Sequence, residues 1–340
     1  MSQHDAKDSV FSKLEQMSLE AEEGSGEEDE GPIIGTYNTN TDELELPSMS
    51  REGPMVVLVI GMAGAGKSTL MHRINLSVNE SKKRSYFINL DPAVNSVPYA
   101  ANIDIRDTVN YKEVMSQYGL GPNGGILTSL NLFSTRFDQV IQLLEKRADT
   151  LDYIFIDTPG QIEVFTWSAG GQIISEILGA TFPTCILYVV DTPRCTSPTT
   201  FMSNMLYASS ILFKTFLPVV CTFNKEDVVP SKFAQEWIED FEAYQEALDA
   251  DEGESYIGPL NRSLSLALSE FYKSMKTCGV SALTGEGIGD LFRAIEAAKT
   301  EFKETFVPEI ARRLADKKQQ EAVKRDEDLA KLQQDGAIKS

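Results

Sequence analysis

Gly61, Gly66, Lys67 and Ser68 stand in "GMAGAGKST" at the spacing G-x-x-x-x-G-K-[ST]. The chemistry that this spacing serves is phosphate binding. Glycines let successive backbone N–H groups converge on one anion, with Gly64, Ala65 and Thr69 completing the cradle. Lys67 then reaches the β/γ-phosphate oxygens, and the Ser68 hydroxyl faces Mg²⁺. The stretch follows "MVVLVIG" and precedes "LMHRINL". It therefore falls between a buried strand and a helix whose N-terminus adds its own attraction for anions.

A second phosphate-side element is "IFIDTPGQ", 154–161. Its apolar run delivers Asp157, a carboxylate suited to holding Mg²⁺, usually through water. Gly160 lets the backbone approach a γ-phosphate, and Gln161 stands where it could orient water. "INLDPA" places Asp91 at the end of another strand, where it could polarise an attacking water or join the metal shell. "NIDIRD" adds Asp104, Arg106 and Asp107 as a candidate switch segment. The sequence leaves open which carboxylate reaches the water. Between these elements lies Gly121-Pro122-Asn123, a plain turn or a stiff mount for the Asn123 amide.

The base is read further along the chain. In "TFNKED", Asn224, Lys225 and Asp227 fit N-K-x-D. Guanine offers two adjacent donors, N1–H and N2–H₂, which one Asp227 carboxylate can accept. Adenine would leave that carboxylate unpaired. Asn224 can tie the base edge to the phosphate cradle, and Lys225 can lay its stem on the purine face. "VSALTGEG" then supplies Ser281 and Ala282, where a backbone N–H can meet the guanine O6.

Elements must hold these groups together. Continuous apolar runs at 55–61, 85–91, 151–157, 184–191, 216–224 and 278–283 predict parallel strands covered on both faces. Helical patterns separate most of them. The expected architecture is a three-layer α/β P-loop NTPase fold with a mostly parallel sheet and its ligand beyond the carboxyl ends of the strands. Residues 51–306 form the expected nucleotide-binding domain. It carries an insertion at about 96–150, with helices on either side of the Gly-Pro-Asn turn, and helical insertions at 199–215 and 231–275. The loop "DADEGESYIGP" in the last of these reads as mobile. Helix 199–215 has more apolar faces than one sheet covers. It is either core or a groove or dimer surface partly lined by Met202 and Met205.

The flanks differ in composition. Residues 1–50 contain thirteen acidic residues and two lysines, more than half of the formal net charge of −20. Such a segment buries too little to order itself, so disorder is expected, with "VFSKLEQMSLE" as a segment that could become helical on a partner. Residues 307–340 are a charged tail, helical or disordered. An acidic chain is a poor match for direct nucleic-acid binding. The four cysteines form no CxxC pair and there are two histidines, His4 and His72. That argues against structural zinc and for a reducing compartment. Cys185 and Cys221 sit in apolar runs and read as buried thiols. No signal-peptide core and no run of eighteen apolar residues is present, so a soluble intracellular protein is expected, with no membrane partner.

The ordered set "GMAGAGKST", "NLDPAV", "ANIDIRD", "GLGPNGG", "DTPGQIE", "FNKED" and "SALTGEG" resembles the GPN-loop GTPase family, most of all its eukaryotic first-paralogue branch. The resemblance covers roughly residues 54–306; the acidic first fifty residues depart from a minimal member. It implies membership of the dimerising P-loop GTPases related to signal-recognition and MinD-like proteins. It implies self-association or pairing with a related GPN-loop paralogue, with Asn123 facing the γ-phosphate region of the other subunit. Asp91 matches the first-switch aspartate, and Asp157, Gly160 and Gln161 match the second switch. The branch is implicated in RNA polymerase II assembly and nuclear import. That implies polymerase subunits or assembly factors as partners and a cytoplasmic protein that shuttles to the nucleus. Two alternatives stay open: a GTP-gated binding scaffold with incidental hydrolysis, and a MinD-like ATPase.

Overall fold

The computed structural model describes residues 53–251 and 275–308, together with residues 268, 271, 272 and 312. The acidic segment 1–50, most of the loop "DADEGESYIGP" and nearly all of the charged tail lie outside the described residues.

The described residues form seven strands in one sheet: β1 (Met55–Gly61), β2 (Ser85–Asn89), β3 (Ile103–Asp104), β4 (Tyr153–Asp157), β5 (Thr184–Asp191), β6 (Val219–Asn224) and β7 (Lys276–Val280). Their order is β3-β2-β4-β1-β5-β6-β7, and every pairing is parallel. The six apolar runs became six of these strands. The seventh, β3, is two residues long and too short for a hydrophobic pattern to reveal. β2 stops at Asn89, two residues before the expected end, because the side chain of Asn89 turns the chain there.

β1 shows why the sheet is covered on both sides. Val56, Leu58 and Ile60 point into one core and Met55, Val57 and Val59 into the other. On the second face lie α1 (Lys67–Glu80), through Leu70, Met71 and Ile74, and a long C-terminal helix (Ile288–Glu301), through Leu291 and Ile295. The other face is covered by most of the remaining helices. Among them are α2 (Ile105–Thr108), α3 (Tyr111–Tyr118), α4 (Pro122–Ser134), α5 (Phe137–Glu145), α6 (Ile162–Thr166), α7 (Ala169–Thr181) and α8 (Pro198–Thr215). The layers are thus helix, sheet and helix.

Two expectations change. The Gly-Pro-Asn triplet does not sit in an open turn between helices. Pro122 occupies the first turn of α4. Proline's fixed φ suits a helix start, where its missing N–H costs nothing. The second concerns α8. Met202 and Met205 are 1% and 0% exposed and pack within this chain's own core. They do not line a groove or a dimer surface here. The extra apolar face of α8 is covered by α9 (Lys232–Glu239) and α10 (Phe241–Asp251): Trp237 and Tyr244 pack on Phe201, and the Tyr244 hydroxyl donates to the Pro198 carbonyl at 3.1 Å. Burying each methionine contributes about 1.5–3 kcal/mol, which holds this layer to the sheet.

Candidate functional site

Parallel register carries the polar residues to one edge. Asn89 pairs with both Asp104 and Asp157 across β2, β3 and β4, and Asp191 pairs with Asn224 across β5 and β6. Gly61 ends β1 in the centre, beside Val189.

The cradle follows from three glycines. A Cβ on Gly61 would lie 2.3 Å from the Val189 carbonyl oxygen, so no side chain fits between β1 and β5. Gly66 has φ 89°, a left-handed conformation that glycine adopts without strain, and it starts α1 with no side-chain cap. Gly64 (φ 83°) shares that conformation. The first turn of α1 contains no acidic residue, which leaves its N–H groups and positive dipole end available to an anion. Lys67 is buried and folds its Nζ back onto the Gly61 carbonyl at 2.7 Å. Burial pushes its ammonium below the ordinary lysine value, and the charges of Asp157 and Asp91 oppose that. A buried cation resting on a carbonyl is poised to exchange that partner for a phosphate oxygen. Ala65 is buried inside the cradle, whereas Thr69 is exposed on α1.

Two of the three residues expected to hold the metal, Ser68 and Asp157, meet directly. Ser68 Oγ donates to Asp157 Oδ2 at 3.0 Å. Asp157 is 2% exposed, and its Oδ1 is buried without a hydrogen-bond partner. A buried carboxylate oxygen without a hydrogen-bond partner, beside a serine hydroxyl, suits a cation. Burial raises the Asp157 carboxyl to about 6, against the opposing charge of Lys67 and hydrogen bonds from Tyr99 and Ser68. The donor set fits Mg²⁺, which takes one or two protein oxygens and fills its remaining positions from phosphate and water. Among the described residues no group of three or more His, Cys, Asp or Glu side chains offers an all-protein metal cage.

Asp91 lies one strand away. Its carboxylate accepts from the backbone N–H of Ala93 at 2.9 Å and also from that of Gly160. Burial raises its carboxyl, opposed by those two N–H groups and by Lys67. The Gly160 contact joins the two expected switch segments. Asp104 is engaged by its own neighbours. Arg106 donates to both of its oxygens, Asn89 donates to Oδ1 at 3.1 Å, and the backbone N–H of Arg106 is capped by the same atom. Burial raises the Asp104 carboxyl, but the hydrogen bonds from Arg106 and Asn89 outweigh it and hold the group below its usual range. A carboxylate engaged in this way organises its loop. Asn123 is exposed at the start of α4, and Gln161 Nε2 donates to its Oδ1 at 2.7 Å within the same chain. Tyr111 braces this end of α4 by donating to the Pro122 carbonyl at 3.1 Å.

At the base end, Asn224 is a buried bridge. Its Nδ2 donates to the Ala65 carbonyl at 2.8 Å and its Oδ1 accepts the Ala282 N–H at 3.1 Å. One side chain therefore clamps the phosphate cradle to the "SALTGEG" loop. Ser281 Oγ donates to Oδ1 of the exposed Asp227 at 2.5 Å. Lys225, with φ 70°, directs its Nζ to Asp191 Oδ2 at 2.7 Å.

Several contributors escaped the sequence reading. Tyr99, buried in the loop after β2, donates to Asp157 Oδ2 at 3.0 Å. Arg73 of α1 donates to the carbonyls of Ala282 and Leu283, holding the base loop from below. Asp191 had a readable signal, since "LYVVD" ends a strand in aspartate just as "IFID" does. Tyr99 and Arg73 carry no spacing that marks them. All four cysteines are buried free thiols. Among the described residues no helix is long and apolar enough to cross a membrane.

A parallel three-layer sheet with this cradle after β1 is the P-loop NTPase fold, here with helical insertions. A family model described as a conserved hypothetical ATP-binding protein matches residues 59–301. GPN-loop GTPase QQT2 of Arabidopsis thaliana is 60% identical over 259 residues, covering 76% of this chain and 68% of the relative. GPN-loop GTPase 1 of Dictyostelium discoideum is 55% identical over 279 residues, covering 81% and 70%. The crystal structure of a GTPase in apo form from Pyrococcus abyssi shares 26% identity and a TM-score of 0.64, over 74% of this chain and 98% of that one. The chain belongs to the GPN-loop GTPase family.

Proposed function

We propose that this protein is a Mg²⁺-dependent GTPase that converts GTP and water to GDP and phosphate in a nucleotide-gated dimer. The observation that carries the reading is the Asn224 bridge. It fastens the phosphate cradle to a loop where Ser281 presents the Asp227 carboxylate, so one rigid edge reads phosphate and guanine together.

Each residue then has a task. The backbone from Gly61 to Thr69 and the Lys67 ammonium take the phosphates and stabilise the charge that develops on them. Ser68 and Asp157 would hold Mg²⁺, which supplies Lewis-acid stabilisation of the phosphate oxygens when bound. Asp91, steadied by the Ala93 and Gly160 N–H groups, and Gln161 position the water. Asp227 accepts the guanine donors, Lys225 covers the purine face, and Ala282 lies beside O6. Asp104 acts indirectly, by fixing the loop that carries Asp91.

Asn123 completes the constellation in trans on the family pattern, from a stiff helix start exposed for a second subunit. The Gln161–Asn123 hydrogen bond within one chain favours a second reading, in which the pair works in cis. Mixing Asn123→Ala and Lys67→Ala subunits separates them. Action in trans restores one composite site, and GTP turnover rises above either variant alone. Complete subunit exchange without recovery supports action in cis. Single-turnover hydrolysis at rising protein concentration tests the reaction itself. An enzyme that needs its dimer accelerates with concentration, and a scaffold with incidental hydrolysis does not.

The cellular reading rests on the first-paralogue resemblance and on 49–60% identity to four relatives, three of them named GPN-loop GTPase 1. It is assistance to RNA polymerase II assembly and nuclear import, as a homodimer or with a GPN-loop paralogue, in a protein that moves between cytoplasm and nucleus. Cells carrying Lys67→Ala should retain polymerase subunits in the cytoplasm; normal nuclear levels would oppose it.

A further inference from the structure

The loop between β2 and β3 is fastened at both ends and touches the candidate metal carboxylate at one point in its middle. At its start, Asn89 Oδ1 accepts the Asp91 N–H at 3.1 Å. Near its end, Asn102 Oδ1 accepts the Phe87 N–H at 2.8 Å, and the Asn102 N–H donates to the Phe87 carbonyl at 2.7 Å. Arg106 reaches back across the loop to the carbonyls of Val94 and Asn95, at 3.2 and 3.0 Å. Between these ties, Tyr99 turns inward. Its ring packs on Phe87 with centroids 5.8 Å apart, and its hydroxyl donates to Asp157 Oδ2 at 3.0 Å. Tyr99 is 6% exposed, so that hydroxyl has little water to turn to.

The two hydroxyls on Asp157 occupy the same oxygen. Ser68 and Tyr99 both donate to Oδ2, and Oδ1 stays buried without a partner. Ser68 is itself an expected metal ligand, so its hydroxyl is needed elsewhere once the metal binds. Among the described residues, Tyr99 would then be the one remaining side-chain hydrogen-bond donor fixing the carboxylate's rotation. Outer partners of metal-binding carboxylates orient them in this way.

We propose that Tyr99 is a positioning residue for Mg²⁺: its hydroxyl fixes Asp157 so that Oδ1 faces the cation, and it ties the loop 92–102 to the occupied metal site. The proposal rests on the reading of Ser68 and Asp157 as the Mg²⁺ site. Loss of this hydroxyl should weaken the cation and should uncouple the loop from it, with the nucleotide's own contacts left intact.

The test is Tyr99→Phe, which deletes one oxygen and keeps the ring on Phe87. The release rate of a fluorescent GDP is followed against free Mg²⁺ in wild type and variant, with a parallel affinity measurement in EDTA. The Mg²⁺ midpoint should rise about tenfold, the lower end of what outer-partner substitutions cost. The EDTA affinity should stay within about twofold. Hydrogen exchange across 92–102 is the second readout. Mg²⁺ should slow it in wild type and not in Tyr99→Phe, whereas a merely structural tyrosine would alter exchange equally with and without the cation. An unchanged midpoint, or an EDTA affinity that falls by the same factor, overturns the role of Tyr99. A wild type whose nucleotide release ignores Mg²⁺ overturns the metal site itself, and this inference with it.

Discussion

Replacing Asn224 by alanine should loosen both halves of the site at once. The side chain is 1% exposed and makes two hydrogen bonds, to the Ala65 carbonyl at 2.8 Å and from the Ala282 N–H at 3.1 Å. Each such bond contributes about 0.5–1.5 kcal/mol net, and each buried group left unpaired costs about 1–3 kcal/mol. Water entering the space left by the amide recovers part of that, so the expected total is about 2–4 kcal/mol. The loss divides between folding stability and nucleotide affinity, because the clamp joins the phosphate cradle to the base loop. Urea unfolding of the nucleotide-free protein measures the first part. Titration with a fluorescent GDP measures the second, where about 1.4 kcal/mol means tenfold in affinity. If the two losses together come to less than about 1 kcal/mol, Asn224 is not a clamp and the reasoning fails.

Burial raises Asp157 to about 6 from 3.8, so its protonation favours the nucleotide-free fold. That stability is fully present below the unfolded value and is lost as pH rises from about 4 through 6. About 3 kcal/mol goes with a shift of this size, at 1.36 kcal/mol for each pH unit. Denaturation midpoints between pH 4 and 7.5 should show the decline in wild type and a flatter profile in Asp157→Asn; equal slopes would remove the assignment. Mg²⁺ affinity should move in the opposite sense, rising through pH 6 as the carboxylate ionises, and a pH-independent affinity would contradict it. Gly61→Ala forces a Cβ to within 2.3 Å of the Val189 carbonyl oxygen. It should cost about 1–3 kcal/mol in thermal or urea unfolding, and an unchanged midpoint would show that β1 and β5 have slack.

The sheet was legible because buried parallel strands leave long apolar runs, and the strand ends then placed the motifs on one edge. Strand β3 was not legible, since two residues cannot show a period. α4 was missed because glycines and a proline at 121–125 read as a turn, whereas Pro122 serves as the first helical residue. For the site, residues that belong to recognisable motifs were legible, and the fold brings them together: the cradle, Asp157 with Ser68 and Asn224 with Ala282. Partners that belong to no motif were not. Tyr99 meets Asp157 across fifty-eight positions and Arg73 meets Ala282 across two hundred and nine, separations that only the folded sheet closes. Asp104 stands in a motif that looks reactive, and in the fold Arg106, two residues on, donates to both of its oxygens.

In the proposed function, one edge of the sheet reads guanine and triphosphate together for hydrolysis. Phosphate release by the purified full chain, from GTP and from ATP at equal concentration, with Mg²⁺ and with EDTA, tests it most directly. Release from GTP should need Mg²⁺, and ATP should give little. Asp227→Ala should erase the difference between the bases. Equal turnover of ATP, or turnover of GTP that survives EDTA, would contradict it.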